Sequence, residues 1–134
     1  MKLFCTDGTQ QQQPLVSTVR TVNVSAAAGS NVRLHCTLNP ECFAHNVRWT
    51  HYAVSSGTVI WYSGQTVHRS LESTGVTVES NSTLGWSVLI IPRVKPADRG
   101  RFHCHVTSLE HCQMNFRLTI TGNIYAHYTL TLNI

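Results

Sequence analysis

The chain has 134 residues, of which 42% are hydrophobic and 12% are charged, and its net charge at pH 7 is +4. This length buries one hydrophobic core, so we expect a single domain over residues 14–134, preceded by a flexible extension over residues 1–13. The longest aliphatic run, Val88 to Ile91, is too short to cross a membrane, so we expect no segment of this chain to span one.

Alternating apolar and polar residues predict β-strands along most of the chain. The pattern is clearest from Val32 to Leu38, where every second residue is apolar or cysteine. Runs containing Ser and Gly separate the strands and predict turns. Strands are predicted over residues 16–25, 32–38, 47–52, 58–62, 67–71, 76–79 and 85–91.

Two alternating runs, residues 115–121 and 126–134, follow Cys104. We predict the second as the last strand of the domain, because its apolar residues share one face more completely. The first is then an extra strand whose free edge recruits a partner's strand, with Arg117 and Thr119 setting the register. In the alternative, residues 115–121 are the last strand and the remainder is a departing stalk.

Cys36, Trp49 and Cys104, with Asp98 and Phe102 shortly before the second cysteine, form the most informative pattern. Their order and spacing resemble the skeleton of an immunoglobulin domain. The resemblance implies an all-β, two-sheet Greek-key sandwich, with a Cys36–Cys104 disulfide packed on Trp49. The 67 residues between these cysteines leave room for strands C, C′, C″, D and E, which favours the variable (V) type.

The same resemblance assigns the core around Asp98, the residue of the tight corner before strand F. Phe102 stands where the family has a tyrosine, so it contributes packing without a hydroxyl hydrogen bond. The inward positions of strand E and the following turn are Leu89, Ile91 and Val94. Trp86, Val88 and Ile90 form an outward apolar stripe, which we interpret as covered by the amino-terminal segment or a glycan.

Three further cysteines, Cys5, Cys42 and Cys112, allow three single pairings with one thiol left over. All three lie at one end of the predicted sandwich, so each pairing is geometrically possible.

Cys5 before the first strand, the spacing from Cys36 to Cys42, and the stretches Pro96-Ala97-Asp98 and His127-Tyr128-Thr129-Leu130 resemble the family of B and T lymphocyte attenuator. This inhibitory receptor binds herpesvirus entry mediator, a member of the tumour-necrosis-receptor family. The resemblance implies a Cys5–Cys42 disulfide.

The sequence departs from that family at two points. Thr50 stands where the family has a cysteine directly after the strand C tryptophan, and the stretch from Cys36 to Cys104 is longer. Cys112 has no counterpart in the family.

Five cysteines and N-glycosylation sequons at Asn23 and Asn81 point to an extracellular, oxidising compartment. We therefore interpret the chain as the ectodomain of a single-pass cell-surface protein, with its leader and anchor outside this chain. The expected function is ligand binding by a co-inhibitory immune receptor, and the resemblance implies a partner from the tumour-necrosis-receptor family, such as herpesvirus entry mediator. A cell-adhesion domain and a virally encoded immunomodulator are the alternatives.

Partner binding is predicted on the face formed by strands G, F, C and C′, together with the F-to-G segment. Aromatic and arginine side chains are typical of protein interfaces, and this face carries both. The residues expected to project there are Arg48, Thr50, Tyr52, His103, His105 and Thr107.

No catalytic motif is present, and only six acidic residues are available as general acids, so we predict no enzyme, no cofactor and no small-molecule substrate. The eight histidines lack the converging spacing of a zinc site, so no metal is predicted, although their titration near neutral pH suggests pH-sensitive binding. Arg93, Lys95, Arg99 and Arg101 form a basic group. We interpret it as a solvated loop end with Asp98 pairing one arginine, in preference to a site for heparan sulfate or acidic lipid. Nothing indicates nucleic-acid binding.

Overall fold

The computed structural model describes residues 19–54 and 57–122. The β-strands are β1 (Thr21–Ala27), β2 (Val32–Thr37), β3 (Arg48–Ala53), β4 (Gly57–Tyr62), β5 (Thr77–Asn81), β6 (Trp86–Ile91), β7 (Gly100–Val106) and β8 (Leu109–Thr121). Short 3₁₀ helices lie at Pro40–Ala44, Arg69–Thr74 and Pro96–Asp98.

The strands form two sheets, one of five strands in the order β1-β8-β7-β3-β4 and one of three strands in the order β2-β6-β5. The β1–β8 pair is parallel, and the other strand pairs are antiparallel. This arrangement corresponds to strands A′, G, F, C and C′ packed against B, E and D. The predicted all-β immunoglobulin-like sandwich is therefore confirmed.

The core lies between the sheets and is centred on the Cys36–Cys104 disulfide, which joins β2 to β7. Trp49 lies directly across from Cys104 in the β3–β7 ladder and is 0% exposed. Its indole Nε1 donates a hydrogen bond to the Ser87 hydroxyl at 3.0 Å, and its ring packs against Phe116. The disulfide that joins the two sheets and the buried Trp49 indole thus both lie at the centre of the domain, as predicted.

The residues around the corner before β7 are buried as predicted, but Asp98 has a different partner from the one expected. Leu89, Ile91, Val94 and Phe102 are fully or almost fully buried. Asp98 is buried as well, but it accepts hydrogen bonds from the backbone N–H and the ammonium of Lys95, at 3.0 and 3.4 Å. The expected pairing of Asp98 with an arginine is wrong, and the arginines at this end of the sandwich are left without that carboxylate.

The preference for residues 126–134 as the last strand is contradicted, because β8 contains residues 115–121 and pairs with β7. The F-to-G connection is a tight turn at residues 107–108 rather than a long segment. β8 lies between β7 and β1, so Arg117 and Thr119 are not on a free edge, and recognition by strand addition at this position is ruled out. Residues 126–134 lie outside the described residues.

Two other expectations can be compared with the structure, and the first of them is wrong. Residues 67–71, predicted as strand C″, enter the Arg69–Thr74 helix after a single bridge between Tyr62 and Val67. Val88, at the centre of the outward stripe on β6, is 1% exposed, and Trp86 and Ile90 beside it are half-buried. The stripe is therefore not an open contact surface.

The second disulfide joins Cys42 to Cys112, and the predicted Cys5–Cys42 bond is wrong. Cys42 lies on the Pro40–Ala44 helix between β2 and β3, and Cys112 is an inward residue near the start of β8. The tight β7–β8 turn carries Cys112 back to the B-to-C connection, which the predicted long connection did not provide. Cys5 and the extension 1–13 lie outside the described residues.

Candidate functional site

The candidate site is the outer face of the five-stranded sheet. Because side chains alternate along a strand, the residues next to the buried Trp49, Phe102, Cys104 and Met114 point away from the core. These outward residues are Thr50 and Tyr52 on β3, Arg101, His103 and His105 on β7, and Gln113, Asn115 and Arg117 on β8. β1, β3, β4 and β7 contain no acidic residue, and β8 contains only Glu110.

A stacked pair of imidazoles occupies the middle of this face. The rings of His103 and His105 are 4.2 Å apart between centroids and almost parallel, with an interplanar angle of 7°. The Thr50 hydroxyl lies 3.0 Å from His105 Nε2, within hydrogen-bonding distance. Thr50 is only 4% exposed, so it orients His105 and does not itself present a surface to a partner, contrary to the prediction.

The hydrogen bonds of Gln113 fix the protonation of His103. The Gln113 amide Nε2 donates to the Glu110 carbonyl at 2.7 Å, so its Oε1 is the atom that faces His103 Nε2 at 2.8 Å. An oxygen acceptor requires an N–H on that ring nitrogen, which makes Nδ1 the unprotonated nitrogen of a neutral imidazole. Nδ1 is buried and has no hydrogen-bond partner among the described residues, so a proton there would be unsatisfied.

Both imidazoles are therefore held neutral near pH 7. The pKa of His105 is lowered to about 4, mainly by burial and to a smaller extent by His103 and the Arg48 guanidinium. The pKa of His103 is also lowered, mainly by burial, although its hydrogen bond to Gln113 opposes the shift. The centre of the face thus presents planar, uncharged rings.

An arginine and a tyrosine continue the cluster toward the start of β7. The Arg101 guanidinium lies 4.0 Å from the centroid of the Tyr52 ring, a cation–π arrangement, and donates to Asn115 Oδ1 at 2.8 Å. The Tyr52 ring in turn lies 6.3 Å from His103. We call Thr50, Tyr52, Arg101, His103, His105 and Gln113 the imidazole cluster.

At its other end the face opens into a cleft of about 430 Å³. Arg48, which lies across from His105 in the β3–β7 ladder, lines it together with His45, Val106 and Thr107. The structure therefore brings Arg48, Tyr52, His103, His105 and Thr107 to one surface, as the sequence predicted.

Behind the face, the sequence analysis missed one buried histidine. His51 points inward, is 4% exposed, and stacks on Phe102 with 4.2 Å between ring centroids. Its Nε2 is 2.9 Å from the Arg99 carbonyl and donates to it. Burial lowers the pKa of His51, against the opposing effect of this hydrogen bond. Its inward position in the strand was the available signal.

The two sequons lie on different sheets. Asn23 is exposed on β1 and lies across from Arg117 on β8, so a glycan there would stand at the margin of the outer face. Asn81 lies at the end of β5, where its Oδ1 accepts a hydrogen bond from the Leu84 N–H at 2.9 Å.

One group of metal-ligand residue types converges within the described residues, namely Cys42, His111 and Cys112. The two sulfurs are joined in a disulfide, so neither is a thiolate that binds a metal. His111 instead contacts the Glu41 carboxylate at 3.0 Å. The residues that the structure describes include no helix long and apolar enough to cross a membrane.

No protein-family model matches the chain, and no curated protein matches it in sequence. In structure it is similar to the second immunoglobulin domain of the mouse polymeric immunoglobulin receptor, with a TM-score of 0.63 and 15% identity over 76% of this chain and 97% of that domain. The first domain of the same receptor gives a TM-score of 0.60 and 15% identity over 73% of this chain and 88% of that domain. These similarities establish the immunoglobulin-like fold. They do not support the narrower resemblance to B and T lymphocyte attenuator.

Proposed function

We propose that this chain is an extracellular protein-recognition domain that binds its partner through the outer face of the β1-β8-β7-β3-β4 sheet. The observation that carries the proposal is the imidazole cluster. Its rings and polar groups are already stacked and hydrogen-bonded to one another, so little side-chain entropy remains to be lost on binding. Preorganised aromatic and arginine side chains are typical of the residues that dominate binding energy.

On the opposite sheet the counterpart of the imidazole cluster is one tilted contact, between His35 of β2 and Trp86 of β6, with 5.8 Å between ring centroids. The outward Arg33 of β2 is neutralised by Glu79 of β5 at 3.5 Å, and both side chains are largely exposed. An exposed ion pair of this kind contributes little to stability or recognition. The two disulfides, Cys36–Cys104 and Cys42–Cys112, favour an oxidising, extracellular compartment for the domain.

A role as a co-inhibitory receptor ectodomain on the cell surface is compatible with this face. A tumour-necrosis-receptor-family partner such as herpesvirus entry mediator was inferred from a resemblance that also implied a Cys5–Cys42 disulfide. The structure has a Cys42–Cys112 disulfide instead. We therefore treat that partner as one outcome of the test. Self-association through the outer face is disfavoured, because two copies would bring Arg48, Arg101 and Arg117 against the same charges.

The test is a screen of the tetramerised domain against ectodomains of the immunoglobulin and tumour-necrosis-receptor families. Each hit is then measured with Tyr52→Ala, which removes a ring of the imidazole cluster, and with Arg33→Ala, the matched control on the other sheet. We expect Tyr52→Ala to abolish binding and Arg33→Ala to leave it intact. Binding that survives Tyr52→Ala but is lost in Arg33→Ala would assign recognition to the opposite sheet.

A further inference from the structure

Two arginines face each other on the outer surface of the domain without a carboxylate between them. Arg101 on β7 and Arg117 on β8 are cross-strand partners, and both are exposed. Like charges in this position destabilise a sheet, and a glutamate at either position would relieve the repulsion. The pair therefore offers two positive charges that no carboxylate between them neutralises, as an anionic ligand requires.

The same end of the sandwich carries two more arginines. Arg99 precedes β7, and its guanidinium donates to the carbonyl of Pro96, which leaves the positive charge uncompensated. Arg93 lies in the turn after β6 with a φ of 49°, and its backbone N–H donates to the Asn31 side chain. This turn is joined to the end of β1 by the bond from the Gly29 N–H to the Val94 carbonyl.

The only carboxylate of the Pro96–Asp98 corner is already engaged. Asp98 is 5% exposed and contacts the ammonium of Lys95, so it does not neutralise the arginines. Within the described residues, the large exposed apolar side chains are Val19, Val22, Val54, Ile60 and Leu84, and of these Val54 lies at this end, next to the Ala53–Gly100 pair. One valine does not form the apolar centre that protein partners use, so this end offers mainly charge.

We propose that Arg93, Arg99, Arg101 and Arg117, here called the basic end, bind a sulfated polysaccharide. A linear polyanion suits four arginines that lie on β7 and β8 and in the turns at the same end of the sandwich, because sulfate oxygens accept the paired N–H donors of a guanidinium. Anionic lipid is concentrated in the cytoplasmic leaflet, whereas the two disulfides place this domain in an oxidising compartment. The basic end shares Arg101 with the imidazole cluster, but binding of a polysaccharide is an activity beyond recognition of the proposed protein partner.

The experiment measures the NaCl concentration that elutes the domain from immobilised heparin. Arg117→Glu is compared with Arg20→Glu, which makes the same charge change toward the opposite end of the sandwich, where the Arg20 guanidinium donates to the Thr37 carbonyl. We expect Arg117→Glu to lower the eluting salt strongly and Arg20→Glu to leave it close to the parent value. Equal lowering by the two variants would show a net-charge effect and would overturn the proposal.

Two further measurements test whether a loss of retention comes from unfolding and whether the arginines bind the polyanion through their charges. The melting temperature of Arg117→Glu should equal or exceed that of the parent, because the new carboxylate faces Arg101, so lost retention cannot be attributed to unfolding. In solution, the slope of log affinity for a heparin oligosaccharide against log salt should fall by about 1 for each arginine removed, as counterion release requires.

The nature of the anion is decided with three other probes. Desulfated heparin, poly-L-glutamate and vesicles containing phosphatidylserine should all bind much more weakly than heparin. Equal binding of poly-L-glutamate would assign the basic end to an acidic protein segment, and equal binding of the vesicles would assign it to a lipid surface. Either result, or equal binding of desulfated heparin, would overturn the assignment to a sulfated polysaccharide.

Discussion

The imidazole of His51 stacks on the ring of Phe102, with 4.2 Å between centroids and 15° between planes. In immunoglobulin domains the residue at the position of Phe102 is usually a tyrosine whose hydroxyl bonds back to the backbone before strand F. Phe102 has no hydroxyl, but His51 lies beside it on β3 and donates to the carbonyl of Arg99. The His51 side chain, on the neighbouring strand, thus stabilises the backbone of the corner before β7.

His51→Phe should therefore destabilise the domain although it keeps an aromatic ring in the core. The variant leaves the Arg99 carbonyl without its donor, and we expect the free energy of unfolding to fall by about 1–2 kcal/mol. Urea unfolding measures this change. Adding Phe102→Tyr to His51→Phe should restore part of the lost stability by supplying the usual tyrosine hydroxyl. A double variant no more stable than His51→Phe would refute the view that the His51–Arg99 hydrogen bond replaces the bond of that hydroxyl.

The pairing Cys42–Cys112 predicts one cross-linked peptide in a non-reducing proteolytic map, in addition to the Cys36–Cys104 peptide. Replacing both Cys42 and Cys112 by alanine should lower the free energy of unfolding by about 2–4 kcal/mol, because the bridge closes a long loop in the unfolded chain. Recovery of a peptide joining Cys5 to Cys42 would contradict the structure.

Acidification should destabilise the domain before its carboxylates titrate. The folded-state pKa of His105 is about 4, below the ordinary value of 6.5, so the unfolded chain binds its proton at higher pH than the folded chain does. The stability contributed by neutral His105 is complete above about pH 6.5 and is lost as the pH falls toward 4, and His51 and His103 shift in the same direction. We expect a loss on the order of 1 kcal/mol at pH 5 from His105.

Urea midpoints measured between pH 7.5 and pH 5 test this expectation. His105→Gln should flatten the profile, whereas His45→Gln, at an exposed position, should leave its slope unchanged. Equal slopes for His105→Gln and the parent would show that His105 is not the group responsible.

The central part of the fold was predictable because the spacing of a few residues and the alternation of apolar residues determine which side chains lie between the sheets. Cys36, Trp49 and Cys104 define both sheets, and alternation placed Leu89 and Phe102 in the core. The same alternation favoured residues 126–134 over residues 115–121, although both runs satisfy it, and that choice was wrong. The choice of strand G depends on pairing with β1 and β7, which is a tertiary property.

The site was predictable only as a set of outward residues. Alternation placed Tyr52, His103 and His105 on one face, but it did not reveal that Thr50 is covered by its neighbours. Burial on a nominally exposed face arises because the rings of adjacent strands stack over shorter side chains, which no single strand pattern encodes. The Cys42–Cys112 bond was missed for a similar reason, since it requires the tight β7–β8 turn.

The most direct test of outer-face recognition is the dissociation constant for the partner identified by screening, measured with two variants that carry an added N-glycan. Thr58→Asn with Ile60→Thr creates a sequon on the outer face of β4, across from Tyr52, at positions that are exposed. Thr77→Asn with Glu79→Thr creates the matched sequon on the exposed outer face of β5, in the other sheet. We predict that the glycan on β4 weakens binding by about tenfold or more, while the glycan on β5 changes it by less than about twofold. Unchanged binding with the β4 glycan, together with lost binding with the β5 glycan, would contradict recognition through the outer face of the five-stranded sheet.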